Sequence, residues 1–255
     1  MTLKRIAGFG PAFVLAVTLF VLWELVVKTQ LIASDLLPTP ISILRALIDN
    51  WDVLSVHTLQ TTLETVLGLA LATLLGLLLA ILIDLSVWLR RAFYPLLIIS
   101  QTIPMVALAP LLVIWFGFGL SPKIIVVTLY CFFPIAVACA DGLASTDGDL
   151  MKLLQSMKAT RGQMLWLVRL PGAMPAFFSG LRIAATYSVT GAIVGEYVAA
   201  QQGLGIYMEV ASRADAIVLV FAAIVITAVL SLLLFGLVSL LERIALPWYQ
   251  RRVQK

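Results

Sequence analysis

An all-α bundle of about six membrane-spanning helices is the fold class this sequence predicts, and three observations predict it. First, 62% of the 255 residues are hydrophobic and 12% are charged, with a mean hydropathy of +1.08. No soluble domain needs that much apolar surface. Second, six segments reach the roughly 20 apolar residues that a bilayer crossing requires: about 7–27, 58–83, 92–119, 123–141, 174–197 and 216–241. Third, the charges sort by loop. One side carries Lys4, Arg5, Arg90, Arg91, Lys152, Lys158, Arg161, Arg169, Arg243, Arg251, Arg252 and Lys255, and the other only Lys28, Arg45, Lys123 and Arg213. Basic loops stay in the cytoplasm, so both termini are expected there. The net charge of +4 then reflects topology, and no basic patch interleaved with aromatics suggests nucleic acid. The whole chain, 1–255, reads as one transmembrane domain.

Lys4-Arg5 followed by an apolar run imitates a signal peptide, but the run is about twice the length of a signal's apolar core and is read as the first span. Leu37-Pro38-Thr39-Pro40 then breaks the helix. Residues 40–48 follow as a short amphipathic helix, expected to lie on the outer interface with Ile41, Leu44, Leu47 and Ile48 apolar. In the second span Gly68, Ala72, Gly76 and Ala80 recur every four residues, a stripe that admits a close neighbour or lines a pathway.

The third span is interrupted by Pro104 and Pro110. Each removes a backbone donor and disfavours helix in the residue before it. Open backbone at membrane depth must be buried in protein or face a water-filled cavity. Gln101, Thr102, Pro104 and Met105 are therefore candidates for a translocation pathway, with a kinked, packed helix as the alternative. Cys131 and Cys139 in the fourth span lack metal or redox spacing and read as buried small residues.

The fifth span repeats the small-residue row at Gly180, Ala184, Ser188 and Ala192 and leads to Glu196. Tyr187, Ser188, Thr190 and Gly191 lie on or beside that face and complete the candidate pathway with Glu196, which is either a water-exposed interfacial carboxylate or a gate. Arg182 either snorkels or pairs with a carboxylate. The sixth span is uninterrupted and aliphatic, as for a lipid-facing helix, and Leu246-Pro247-Trp248-Tyr249 marks the interface beyond it.

Enzymatic chemistry is missing from this pattern. There is no GxxxxGK[ST] phosphate loop, no HExxH, no GxSxG and no metal-ligand cluster, and His57 is the only histidine. Glu24, Glu64, Asp84, Asp141 and Glu196 are placed near span ends, which counts against an ion-coupled carrier, the competing class. A lone channel and a membrane scaffold are further alternatives.

The segment 147–171, between spans four and five, is too long for a turn. Leu150, Leu153, Leu154 and Met157 fall at helical spacing, with Asp147 or Asp149 at the N-terminal end, where the helix dipole favours an acid. Lys152, Gln155, Ser156 and Lys158 flank this stripe, and a second helical stretch from about Gly162 to Arg169 is expected to stop at Pro171. The pattern suits a docking element or a helix resting on the bilayer surface.

Lys152 to Pro171 resembles the cytoplasmic EAA loop of ABC-importer permeases. In that motif Glu-Ala-Ala, three residues and Gly are followed by nine residues and Ile-x-Leu-Pro. Lys152-Leu153-Leu154 occupies the first triplet and Val168-Arg169-Leu170-Pro171 the end, while Lys158 stands where the motif has its glycine. Leu37-Pro38-Thr39-Pro40, the run from Pro110 to Gly117, and Gly195-Glu196 followed by Gly203-Leu204-Gly205 resemble the permeases for nitrate, taurine, alkanesulfonates and the thiamine-pyrimidine precursor. Ser100 to Pro104 and Ala184 to Ser188 look closest to the pyrimidine-precursor and riboflavin members.

The resemblance implies a type I importer permease in the cytoplasmic (inner) membrane, pairing with a second, identical copy. It also implies two cytoplasmic ATPase subunits and an extracytoplasmic binding protein. The chain would bind no cofactor, with ATP and Mg on the ATPase subunits, and would not itself be an enzyme. Asp149, Leu150, Leu153, Leu154, Gln155, Met157, Lys158, Ala159 and Arg161 would couple to the ATPase. The best-matching cargo is a hydroxymethylpyrimidine-type thiamine precursor, with riboflavin, taurine or an alkanesulfonate, or nitrate as alternatives.

Overall fold

The apolar runs form long helices because only a helix satisfies its own backbone hydrogen bonds without water. The structure, a computed structural model, describes residues 10–30, 36–247 and 249. In chain order they form α1 (Gly10–Lys28), α2 (Pro40–Asp49), α3 (Trp51–Leu85), α4 (Val87–Ser100), α5 (Met105–Phe116), α6 (Leu120–Ala144) and α7 (Gly148–Ser156). A short α8 (Arg161–Met164) passes through a π turn (Leu165–Arg169) into α9 (Leu170–Ala199), followed by α10 (Leu204–Arg213) and α11 (Ile217–Ala245).

Four helical stretches are long and apolar enough to cross a bilayer: Trp51–Leu85, Leu120–Ala144, Arg161–Val198 and Ile217–Ala245. α4 and α5 make a fifth if taken together, although they meet at 100°. The described part of the first expected span is α1. The sequence predicts one interrupted span over 92–119, whereas the chain turns through a right angle at Gln101–Pro104. Pro104 caps α5 in an extended conformation, so the proline ends one helix and starts another instead of kinking a single rod.

α6 is the centre of the bundle, packed between α3 and α9. The small-residue rows do this packing. Ala72 and Ala80 are fully buried, and a Cβ on Gly76 would lie 3.0 Å from Ile135. On the other side of α6, Ala184, Ser188 and Ala192 are fully buried, and a Cβ on Gly180 would sit 2.7 Å from the Pro134 carbonyl. Both rows therefore hold helices at close approach. α11 buries one edge, Ala222, Ala223, Ile226, Leu230, Leu234 and Val238, and exposes the rest, as its aliphatic sequence suggests.

α2 is the expected short helix, started by Pro40 and by Thr39, whose Oγ1 accepts from the Ser42 N–H at 3.1 Å. Its inward face is Ile43, with Ala46 and Leu47 packed beside it, while Ile41, Leu44 and Ile48 point outward.

The expected stop at Pro171 does not occur. Residues 161–198 run as one continuous rod, because the π turn absorbs the proline. Its wider winding lets Leu170 N–H reach Leu165 O, easing the ring past the carbonyl it would otherwise strike. The second half of the 147–171 segment, from Arg161, is thus continuous with span five.

Candidate functional site

Three sites stand out along the bundle: a projecting helix at the loop end, a cavity beside the α4–α5 bend, and a polar cluster at the opposite end.

At the loop end, Asp147 caps α7, its carboxylate accepting from the Asp149 N–H at 2.9 Å. Among the described residues, none of α7 is buried. Leu150, Leu153 and Met157 are 39%, 57% and 71% exposed, a ridge of three apolar side chains facing away from the protein. Leu154 is half-buried, and Asp149, Gln155, Lys158 and Arg161 are exposed. The helix ends in a left-handed residue, Lys158, at φ +60. Lys158 N–H bonds Gln155 O at 2.9 Å and Ala159 N–H bonds Leu154 O at 3.0 Å, the paired closure of a Schellman turn. The glycine of the resembled motif falls at the left-handed residue of this loop, where a side chain is strained.

Thr160 then begins the next helix with a capping box, Thr160 N–H donating to Gln163 Oε1 at 2.8 Å and Gln163 N–H to Thr160 Oγ1 at 3.3 Å. The root of the loop is clamped: the Arg169 guanidinium pairs with Asp84 at the end of α3 and donates to the Leu143 carbonyl at the end of α6, 3.1 Å away. A groove of about 640 Å³ lies between α7 and the α3–α4 turn, lined by Trp88, Met151, Gln155, Arg161 and Met164 among others.

Beside the right-angle bend, Gln101, Met105, Tyr130, Phe133 and Tyr187 line a cavity of about 240 Å³. The structure thus brings together three of the expected pathway residues, Gln101, Met105 and Tyr187. Thr102, Pro104 and Thr190 are exposed nearby in the chain without lining that cavity. Ser188, Gly191 and Glu196 are not there. Ser188 is fully buried with its hydroxyl donating to Ala185 O at 2.7 Å, and Gly191 packs on Tyr130 and Val127. One helix cannot turn both faces to a cavity, and the small-residue face is taken by α6.

Glu196 is not water-exposed, and it lies apart from the cavity beside the bend. It is fully buried, where Thr61 Oγ1 donates to it at 2.6 Å and Gly205 N–H at 2.5 Å. Leu204 N–H donates to Thr61 Oγ1 at 2.8 Å, and Gly203 N–H to His57 Nδ1 at 3.0 Å. These bonds tie the turn after α9 to the start of α3. Alongside, Lys123 pairs with Glu64, which is fully buried, and Gln60 Nε2 donates to the same Oε1 at 2.6 Å. Lys123, counted among the outer-side charges at the start of the fourth span, is 5% exposed. Glu64, expected near a span end, lies thirteen residues inside α3, counting from Trp51. The spacing of His57, Thr61, Glu64 and Gly68 at helical intervals was the signal that these residues share one inward face. Arg182 pairs with Glu242 of α11 at 3.2 Å, so pairing and not snorkelling describes it.

The description "Binding-protein-dependent transport system inner membrane component" belongs to the family whose model matches residues 72–245. The chain is 40% identical to the formylaminopyrimidine transport permease protein ThiX of Halalkalibacterium halodurans, over 92% of this chain and 94% of that one. It is 39% identical to the riboflavin transport system permease protein RibX of Chloroflexus aurantiacus, over 93% and 91%, and 33% identical to the taurine transport system permease protein TauC of Escherichia coli, over 92% and 88%. Among solved structures, an inward-facing conformation of the MetNI methionine ABC transporter shares the fold with a TM-score of 0.64 at 20% identity, covering 75% of this chain and 95% of that chain.

Proposed function

The chain belongs to the inner membrane components of binding-protein-dependent transport systems, and from that premise we propose that it is the permease subunit of an ATP-driven importer for a small organic solute. It is a multi-pass membrane protein of an ABC transporter; its orientation, partners and cargo are the proposal. Both termini and α7 face the cytoplasm. Two copies pair around a pathway beside the α4–α5 bend. Separate ATPase subunits hydrolyse ATP with Mg, and a binding protein delivers solute to the outer face.

One observation carries this reading: α7 presents Leu150, Leu153 and Met157 to solvent on a helix whose root is clamped by Arg169 and Asp84. Apolar side chains held rigidly outward have a use when a partner covers them. The unbroken rod from 161 to 198 then gives motion at the loop a stiff route into the bundle. Aligned hydrogen-bonded turns transmit displacement; a flexible loop would absorb it.

For the cargo we propose a thiamine pyrimidine precursor of the hydroxymethylpyrimidine type. The similarity to a formylaminopyrimidine permease supports it, and the similarity to a riboflavin permease and to a taurine permease makes those cargoes the alternatives. Reconstitution tests the reading. Vesicles holding this chain, its ATPase and its binding protein take up hydroxymethylpyrimidine only when ATP is supplied. Uptake by this chain alone, driven by an ion gradient, contradicts the importer and makes the chain a secondary carrier.

A further inference from the structure

The polar end of the bundle contains a pocket that the functions above leave unused. It has a volume of about 430 Å³ and is walled by Gln60, Phe118, Lys123, Gln201 and Gln202. Its charge state follows from its neighbours. The Lys123 ammonium is committed to Glu64, a fully buried carboxylate whose Oε2 has no hydrogen-bond partner. Taking the ammonium away would strand a buried charge, so it is not free to neutralise an incoming anion. Behind it, Gly195 packs on Lys123 and the adjacent Glu196 adds a second buried carboxylate. A sulfonate or nitrate entering here meets one ammonium already paired and two carboxylates behind it.

What the wall offers instead is neutral hydrogen bonding. Gln60 uses one N–H on Glu64 and keeps its carbonyl and a second N–H. Gln201 and Gln202 are exposed with both amide ends open, and Phe118 presents a ring that is 84% exposed. Primary amides both donate and accept, and a free aromatic face stacks on flat rings. That set matches a planar heterocycle carrying amino and ring-nitrogen groups along one edge.

We propose that this pocket is a solute-binding site for an uncharged heterocycle of the aminopyrimidine kind, held by the glutamine amides over Phe118, and that it rejects sulfonates and nitrate. The inference rests on the importer reading above, and its test separates the two. Leu120→Cys puts a thiol on the pocket wall at a residue that makes none of the proposed contacts, while the native Cys131 and Cys139 stay buried, so a membrane-impermeant maleimide reports on the pocket in the full complex. Only the unoccupied fraction reacts, so hydroxymethylpyrimidine at twice its Kd slows labelling about threefold. Taurine at the same concentration does not. Where that variant fails to assemble, calorimetry of the complex serves, with hydroxymethylpyrimidine binding weakened by Gln201→Ala with Gln202→Ala, and equal binding with and without the two substitutions overturning the pocket. Labelling unaffected by the pyrimidine, or slowed equally by taurine, overturns the pocket. If wild-type vesicles import the pyrimidine while the pocket is unprotected, the pocket falls and the importer reading stands. If they import taurine and not the pyrimidine, the proposed cargo falls and the pocket with it.

Discussion

The two ends of the bundle solve opposite problems. At one end Thr61, Glu64, Lys123, Glu196 and the 203–205 turn are buried, and they bond to one another across four segments of chain. At the other, α7 stands clear with no buried residue and three apolar side chains outward. The first pairs its charges within one chain; the second leaves apolar side chains uncovered. Substitutions should therefore unfold the protein at the buried end and uncouple it at the exposed one.

The largest expected effect is at the ion pair. Lys123→Met leaves Glu64 buried and unpaired, a loss of about 3–5 kcal/mol for breaking a buried pair from one side. Thermal unfolding in detergent should show a sharply lowered Tm, and the double variant with Glu64→Gln should recover most of it. A Lys123→Met protein as stable as wild type would mean that the cluster is not the anchor described.

Next is Gly203, at φ +133 and against the Glu196 carboxylate. Gly203→Ala forces a side chain into backbone that only glycine adopts readily, at about 1–3 kcal/mol before the clash is counted. The same unfolding assay reads it. Gly236, open on all sides within α11, supplies the control, where Ala should stabilise by roughly 0.5–1 kcal/mol.

Smaller, and of opposite sign, is Lys158→Gly. The left-handed position costs an L-residue roughly 1–2 kcal/mol, so glycine should tighten the end of α7. Amide hydrogen exchange over 148–160 should slow, with the global Tm changing little because no residue of the helix is fully buried. Faster exchange there would show that the Lys158 side chain holds the turn by some other contact.

The comparison also separates what the sequence reveals from what it hides. Hydropathy, small-residue rows and the α7 stripe are local patterns, and they survive into the structure as spans, close packing and an exposed ridge. The Thr61–Glu196 and Glu64–Lys123 partnerships join residues 135 and 59 apart in the chain. No periodicity encodes such distances, and proximity to a span end made buried charges look interfacial. Pro171 misleads for a different reason. The rule that proline ends a helix is local, and a π turn five residues long circumvents it. The bend at Gln101–Pro104 was legible as a break but not as a right angle, since the angle is set by what α5 packs against.

The claim that α7 is the coupling element is tested most directly by Leu153→Asp with Met157→Asp. Both side chains are more than half exposed, so folding should be nearly unaffected, within about 0.5 kcal/mol per site for substitutions on a surface. The measurement is retention of the ATPase subunit when the permease is purified from membranes. The account predicts a normally inserted, normally stable permease that has lost its ATPase. A variant that keeps the ATPase and still imports solute with ATP would contradict it.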